Sequence, residues 1–284
     1  MKTVLETIQA GAEFLDKRGI ENGRLNMQHL VAHVLDCDRM QLYIDFDRPL
    51  NEDELAPLRE LFKRRSLGEP LQHLVGKVPF SGHDFLCDSR ALIPRPETEE
   101  LVAKLIEMYP DDVPGRILDM GTGSGVIGLS LAAAWKDNVK SVVLSDIAPD
   151  ALALAKENAT QIGLEDFEPV EYVESDLFDA LAGREFDLIV ANLPYIAAGE
   201  VPTLSREVRH DPVSALDGGP IGTELMARFI ATAKSHVTEG GRIAMEFGMG
   251  QAPALTGFLQ GHGWEDIDVL KEFGGIERML FANR

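Results

Sequence analysis

With 284 residues, 45% of them apolar and 26% charged, the chain has an ordinary globular composition, and its length suits two domains of roughly 150 residues better than one. No apolar run of about 18 residues occurs, so no helical membrane span is expected. The net charge of −20 falls unevenly: residues 1–70 hold 10 Lys+Arg against 13 Asp+Glu, and residues 71–284 hold 17 against 34, a balance that speaks against stable nucleic-acid binding by the acidic part.

Residues 1–70 read as a small helical domain. "TVLETIQAGAEFLDKRG" carries apolar residues at helical spacing with acids among them, the pattern of a surface helix rather than of a signal peptide. "RLNMQHLVAHVLDC" and "RMQLYIDF" follow. In "NEDELAPLRELFKRRSLG", Asn51 is placed to cap, acids fill the first turn and Lys63, Arg64 and Arg65 the last, as the helix dipole favours. A bundle of about 70 residues has a marginal core of its own, which suggests a docking role. Residues 71–95 form a linker in which "LVGKVPF" and "HDFLCD" flank "SG" as a β-hairpin. Cys37 and Cys87 make no metal-ligand spacing and fit a reducing cytoplasm.

From residue 96 to 284 strands alternate with helices. The strands read as "RILDM" (116–120), "SVVLSD" (141–146), "PVEYVES" (169–175), "FDLIVA" (186–191), "GRIAMEFG" (241–248), "WEDIDVLKEF" (264–273) and "ERMLFAN" (277–283). Helical patterns such as "DALALAKENATQIG" and "TELMARFIATAKSHV" lie between them, which predicts an α/β fold with a parallel, doubly wound, Rossmann-like sheet.

The first of these strands runs into "GTGSGVIGLSLAAAW", giving Asp119-x-Gly121-x-Gly123-x-Gly125 at the carboxyl end of a strand, where open α/β sheets bind ligands. Gly123-x-Gly125-x-x-Gly128 also satisfies the dinucleotide spacing, so spacing alone leaves a nicotinamide cofactor open. Asp119 argues otherwise: it would repel a pyrophosphate, whereas it suits the cationic amino-acid end of S-adenosylmethionine. Asp146 ends the second strand, where its carboxylate can accept from both ribose hydroxyls, and Asp176 in "ESDLF" is placed to accept from the adenine amino group.

A methyl donor at that loop puts the acceptor near the end of the fourth strand, where "ANLPYI" stands. Taken alone this is a turn, since Asn and Pro punctuate loops and Pro194 biases Leu193 away from helix. Opposite a donor loop, however, the Asn192 side-chain oxygen and the Leu193 carbonyl are two acceptors for the N–H groups of a planar amide or amino nitrogen. Tyr195 offers a flat face and Pro194 stiffens the turn.

The chain resembles the HemK/PrmC family of protein-glutamine N5-methyltransferases. The resemblance rests on "EPLQHLVGKVPFSGHDFLCD", "ALIPRPETEELV", "ILDMGTGSG", "SDIAPDALALAKENA", "SDLF", "FDLIVANLPYI" and "EVRHDPVSALDGG", and it covers nearly the whole chain. It implies a class I methyltransferase fold and a helical domain that docks class-1 peptide chain release factors. The implied reaction transfers a methyl from S-adenosylmethionine to the glutamine of their GGQ motif, leaving S-adenosylhomocysteine. By motif position, Gly121, Thr122, Gly123, Ser124, Gly125, Asp146, Asp176, Leu177 and Asn192 resemble donor contacts, and Asn192, Leu193, Pro194 and Tyr195 the amide clamp. From the residues, "RPETEE" is a proline-led helix start; the resemblance adds that Arg95 and Glu97 help to enclose the site. The family pattern is Asn-Pro-Pro-Tyr, and Leu193 stands where the first proline belongs; since only its carbonyl is needed, a proline there should be tolerated. "NLPY" also resembles the tetrapeptide of ribosomal-RNA adenine N6-dimethylases, so an adenine-N6 methyltransferase on RNA or DNA is the alternative. A monomer without a metal is expected.

Overall fold

The computed structural model describes residues 2–284 and divides into two compact units, one holding residues up to Lys77 together with Ser205–His210, the other Val78–Leu204 and Asp211–Arg284. Among the described residues no helix is long and apolar enough to cross a membrane.

The first unit is built from α1 (Val4–Lys17), α2 (Gly23–Val34), the single turn α3 (Gln41–Ile44), α4 (Glu52–Ser66) and the short α5 (Leu71–Val75). Two of these start on reciprocal caps. Thr3 and Glu6 close a capping box at α1, and Asn51 and Glu54 do the same at α4, satisfying backbone N–H groups that a helix start leaves unpaired. α5 stands where the sequence reading began its linker. The apolar stripes of the helices meet in one small core that includes Ile8, Leu15, Met27, Leu30 and Leu42. Within this core sits a buried cation. Arg65 donates through Nε to Asn26 Oδ1 (2.6 Å), through Nη1 to the Glu69 carbonyl (2.9 Å) and through Nη2 to Glu207 of the Ser205–His210 segment.

The second unit opens with a hairpin, β1 (Lys77–Phe80) and β2 (His83–Leu86), turned by Ser81 and Gly82. Both turn residues take positive φ, +47° and +80°, the geometry that matches the twist of paired strands. There follow α6 (Pro96–Met108), β3 (Arg116–Met120), α7 (Val126–Ala134), β4 (Ser141–Asp146), α8 (Pro149–Gln161), β5 (Val170–Glu174) and β6 (Phe186–Ala191). The chain ends with α9 (Glu224–Ala233), β7 (Val237–Glu246), α10 (Ala252–Gly261), β8 (Glu265–Lys271) and β9 (Glu277–Asn283).

The sheet has seven strands in the order β5-β4-β3-β6-β7-β9-β8. Its first five run parallel, as the Rossmann-like reading expects, and β9 pairs antiparallel with both β7 and β8, so the sheet is mostly parallel with an antiparallel edge. The reason is the connection: β8 and β9 are joined by the tight turn at 272–276, and only antiparallel neighbours can be joined so briefly. Alternate strand residues feed two cores. Ile117, Val142 and Leu188 face α6, α7 and α8, whereas Leu118, Val143 and Ile189 face α9 and α10. β3 is flanked by β4 on one side and β6 on the other, so the winding reverses there.

The buried Arg65 gives a direct test. Asn26→Ala leaves the guanidinium Nε without its acceptor and should lower stability by about 2 kcal/mol, read as a shift of the urea midpoint and as faster amide exchange in α2 and α4.

Candidate functional site

At that reversal the chain leaves β3 into Gly121–Gly125 and leaves β6 into Asn192–Tyr195, with Met120 and Ala191 in direct register. The loop after β3 is folded by its own backbone and two carboxylates. The Gly121 and Thr122 N–H groups both donate to the Ser145 carbonyl, at 2.8 and 2.9 Å. Asp119 Oδ2 accepts from Thr122 Oγ1 (2.6 Å) and from the Gly128 N–H (2.8 Å), and Asp146 accepts from the N–H groups of Gly123 (2.8 Å) and Ala148 (2.9 Å). Gly128 is required by proximity: a Cβ there would fall 2.1 Å from Leu144 Cδ2 and 3.0 Å from Asp119. Gly121 is required by both conformation and space. It sits at φ +69°, and a Cβ would meet Leu193 Cδ2 at 2.9 Å.

A cavity of about 280 Å³ lies over this loop. Its lining includes Arg95, Gly121, Thr122, Gly123, Ser124, Asp146, Asp176, Leu177, Asn192, Leu193 and Pro194, so the structure gathers most of the residues singled out in the sequence around one space. Four of them do not line it. Asp119 is the clearest correction: it is fully buried, and its carboxylate staples the glycine loop to α7 instead of facing a ligand. Gly125 caps α7 from behind, at φ +84°. Glu97 is half-buried and acts on Glu246 and Tyr195 through its charge. Tyr195 packs against the core shared with α9 and α10, and its carbonyl accepts from Gln251 Nε2 at 2.8 Å.

Other side chains are engaged differently than the sequence suggested. Asp176 is ion-paired with Arg228 at 3.0 Å, and both line the cavity. Leu193 contributes more than a carbonyl: its side chain is only 4% exposed and packs into the α9/α10 core, resting on Gly121. Arg95 donates to Asp211 Oδ2 (2.8 Å), while Asp211 Oδ1 accepts the Ile93 N–H (3.2 Å). Thus "IPRPE" and "RHDP", far apart in sequence, are bonded at the rim.

Three contributors went unnoticed in the sequence: Thr98, Arg228 and Glu246. Thr98 and Glu246 are buried beside Asn192, whose Nδ2 lies 3.0 Å from Thr98 Oγ1 and 3.0 Å from Glu246 Oε2. Burial and the Glu97 charge push the Glu246 carboxyl up to about 7, against the hydrogen bonds from Thr98 and Asn192 and the charge of Arg278. The available signal was a carboxylate ending the apolar run "RIAME", since an acid in a buried strand needs a specific partner. The arrangement offers fixed oxygen acceptors, Asp146 at one end and the Asn192–Leu193 turn at the other, with a glycine backbone between them.

The chain matches two family models, "PrmC N-terminal domain" over residues 6–76 and "Methyltransferase small domain" over residues 99–219. It is 36% identical over 279 residues to a release factor glutamine methyltransferase of Geobacter sulfurreducens, covering 98% of this chain and 95% of that one. A release factor glutamine methyltransferase of Rhodopirellula baltica is 35% identical over 289 residues, again covering 98% and 95%. Among solved structures, the hMettl16 catalytic domain in complex with the MAT2A 3'UTR hairpin 6 superposes with a TM-score of 0.56 at 14% identity, covering 82% of each chain, a likeness of fold.

Burial pushes the Asp119 carboxyl up to about 6 despite its two hydrogen bonds. A carboxyl whose value is higher folded than unfolded binds more protons in the native state, so stability falls as pH rises from about 4 to about 6. Above that window the loss stays near 3 kcal/mol. Asp119→Asn keeps an acceptor for Thr122 and Gly128 and removes the charge. Its melting temperature relative to the unmodified chain should therefore be higher at about pH 8 than at about pH 4.5, in melts recorded across that range.

Proposed function

The chain belongs to the release factor glutamine methyltransferase family, and from that premise and the cavity's geometry we infer that it methylates the side-chain amide of a release-factor glutamine, at N5 of the GGQ motif of class-1 factors. The observation that carries this reading is the meeting of the glycine loop and the Asn192–Pro194 turn in one cavity at the β3/β6 reversal.

The cavity fits the donor that the reaction needs. A side chain at Gly121 would collide with Leu193, so the loop is kept open by its glycine, and Asp146 stands at the end of β4 with the N–H groups of Gly123, Ala148 and Ile147 directed at its carboxylate. A carboxylate offers about four acceptor sites, so it keeps room to accept from a ribose hydroxyl. Gly121–Ser124 and Asp146 would hold S-adenosylmethionine, with Asp176, tied to Arg228, and Leu177 toward the base. That donor supplies an electrophilic methyl carried on a sulfonium.

The chain's own work is positioning. An amide nitrogen is a poor nucleophile because its lone pair is delocalised, and accepting its two N–H bonds at Asn192 Oδ1 and the Leu193 carbonyl aligns that lone pair for in-line attack. Pro194 fixes the turn, and Tyr195 anchors its exit through packing and through Gln251. No strong base is required, since the proton can leave after transfer. Arg95, held by Asp211, closes the rim. We assign the helical unit to release-factor docking and the cytoplasm as the place of action, where translation terminates. The RNA or DNA adenine alternative gains no support from the charge of −17 over residues 71–284.

Incubation with labelled S-adenosylmethionine and either a release factor or RNA, followed by mass-spectrometric location of the methyl, tests the reading; methyl on RNA alone overturns it. Asn192→Ala should lower turnover about 10²–10³-fold while leaving donor affinity nearly unchanged. Leu193→Pro should keep turnover, because the carbonyl remains, yet lose about 1–2 kcal/mol of stability as buried leucine contacts over Gly121 disappear, measured by thermal melts.

A further inference from the structure

Nothing within the tetrapeptide decides which end of the Asn192 amide faces a ligand. A carbonyl oxygen accepts and an amide nitrogen donates, so the choice determines which chemical groups the cavity takes. Two buried side chains from distant elements make that choice. Thr98, in the first turn of α6, donates its hydroxyl proton to Glu246 Oε2 at the end of β7, at 2.6 Å. Asn192 Nδ2 stands 3.0 Å from each of those two oxygens. Because the oxygens are themselves so close, they subtend a narrow angle at Nδ2, and a single N–H serves both in a bifurcated bond. Asn192 Oδ1 has no donor among the described residues.

Turning the amide over would set Oδ1 against the Glu246 carboxylate. When Glu246 is ionised, the hydroxyl proton of Thr98 is already committed to it. In its ionised form, which prevails above about pH 7, the carboxylate is 2% exposed and such an oxygen–oxygen contact is strongly disfavoured.

We propose that Thr98 and Glu246 are positioning residues that lock the Asn192 amide with its nitrogen inward, leaving Oδ1 to the cavity and selecting an acceptor that arrives with N–H donors. The proposal rests on the glutamine-methylation reading and adds two residues to it. It also gives the "PETE" threonine and the strand-end glutamate a reason to be polar in a buried place. Neither residue needs to touch the reacting atoms; both act through Asn192.

The test uses the full chain, ¹⁵N-labelled and saturated with S-adenosylhomocysteine, with the Asn192 side-chain resonances identified by their loss in Asn192→Ala. One Asn192 Hδ2 proton should lie downfield and exchange slowly. Thr98→Val and Glu246→Leu should move it toward the position of a solvent-exposed amide, with donor affinity unchanged. Turnover on the release factor should fall about 10²-fold in both, and Thr98→Ser, which keeps the hydroxyl, should return it to within about threefold. Should Glu246→Leu not fold, the Thr98 pair decides alone. An Asn192 resonance or a turnover that Thr98→Val leaves unmoved overturns the lock. If the unmodified chain transfers no methyl to a release factor, the functional reading falls, whereas the resonance still reports on the lock.

Discussion

Strands β3 and β6 lie side by side and parallel, so their carboxyl ends open at the same edge of the sheet with their last residues in register. Successive strands are added to one side through β4 and β5 and to the other through β7, which leaves a gap in the helical cover where the winding reverses. Everything assigned to the site depends on that gap. The glycine loop can approach the Asn192–Pro194 turn only because Gly121 lacks a side chain, and Leu193 uses the space by packing on it. Donor loop and acceptor turn are thus held by one contact, and a change at either residue is felt at both.

Buried carboxylates hold this edge together. Asp119 staples the loop to α7, Asp211 holds the segment before α6 by accepting from Ile93 and Arg95, and Glu246 anchors Asn192 from beneath. Each is almost fully buried and each accepts hydrogen bonds from groups that would otherwise be free to turn. Placing charge there opposes folding, which is visible in the raised values of Asp119 and Glu246. The same low dielectric makes the bonds directional and strong, so stability is exchanged for a site whose polar atoms point one way.

The helical unit follows a similar logic with opposite charge. Its core is small, and Arg65 occupies the interior of the packing, satisfied by Asn26, the Glu69 carbonyl and Glu207. Glu207 comes from a segment lying some 140 residues further along the chain, four residues before Asp211. A region of about 70 residues that buries little of its own surface gains a long-range contact in this way.

The sequence by itself determined the elements and the general place of the site, because these depend on local rules. Apolar strands broken by helical periodicity, caps at Asn51, a proline-led α6 and glycines after β3 are written in neighbouring residues, and "NLPY" after "FDLIV" placed the acceptor turn at a strand end. The antiparallel β9 was not legible, since strand direction depends on which partner the hairpin finds. The burial of Asp119 and the packing of the Leu193 side chain were not legible for a related reason: whether a side chain at a strand end faces a cavity or the packing beneath it is decided by neighbours from other elements. Thr98, Asn192 and Glu246 are separated by 94 and 54 residues along the chain, and only the tertiary structure brings their polar atoms within 3.0 Å. Hydrogen bonds at that range are set by the packing of α6, β6 and β7, which no local pattern encodes.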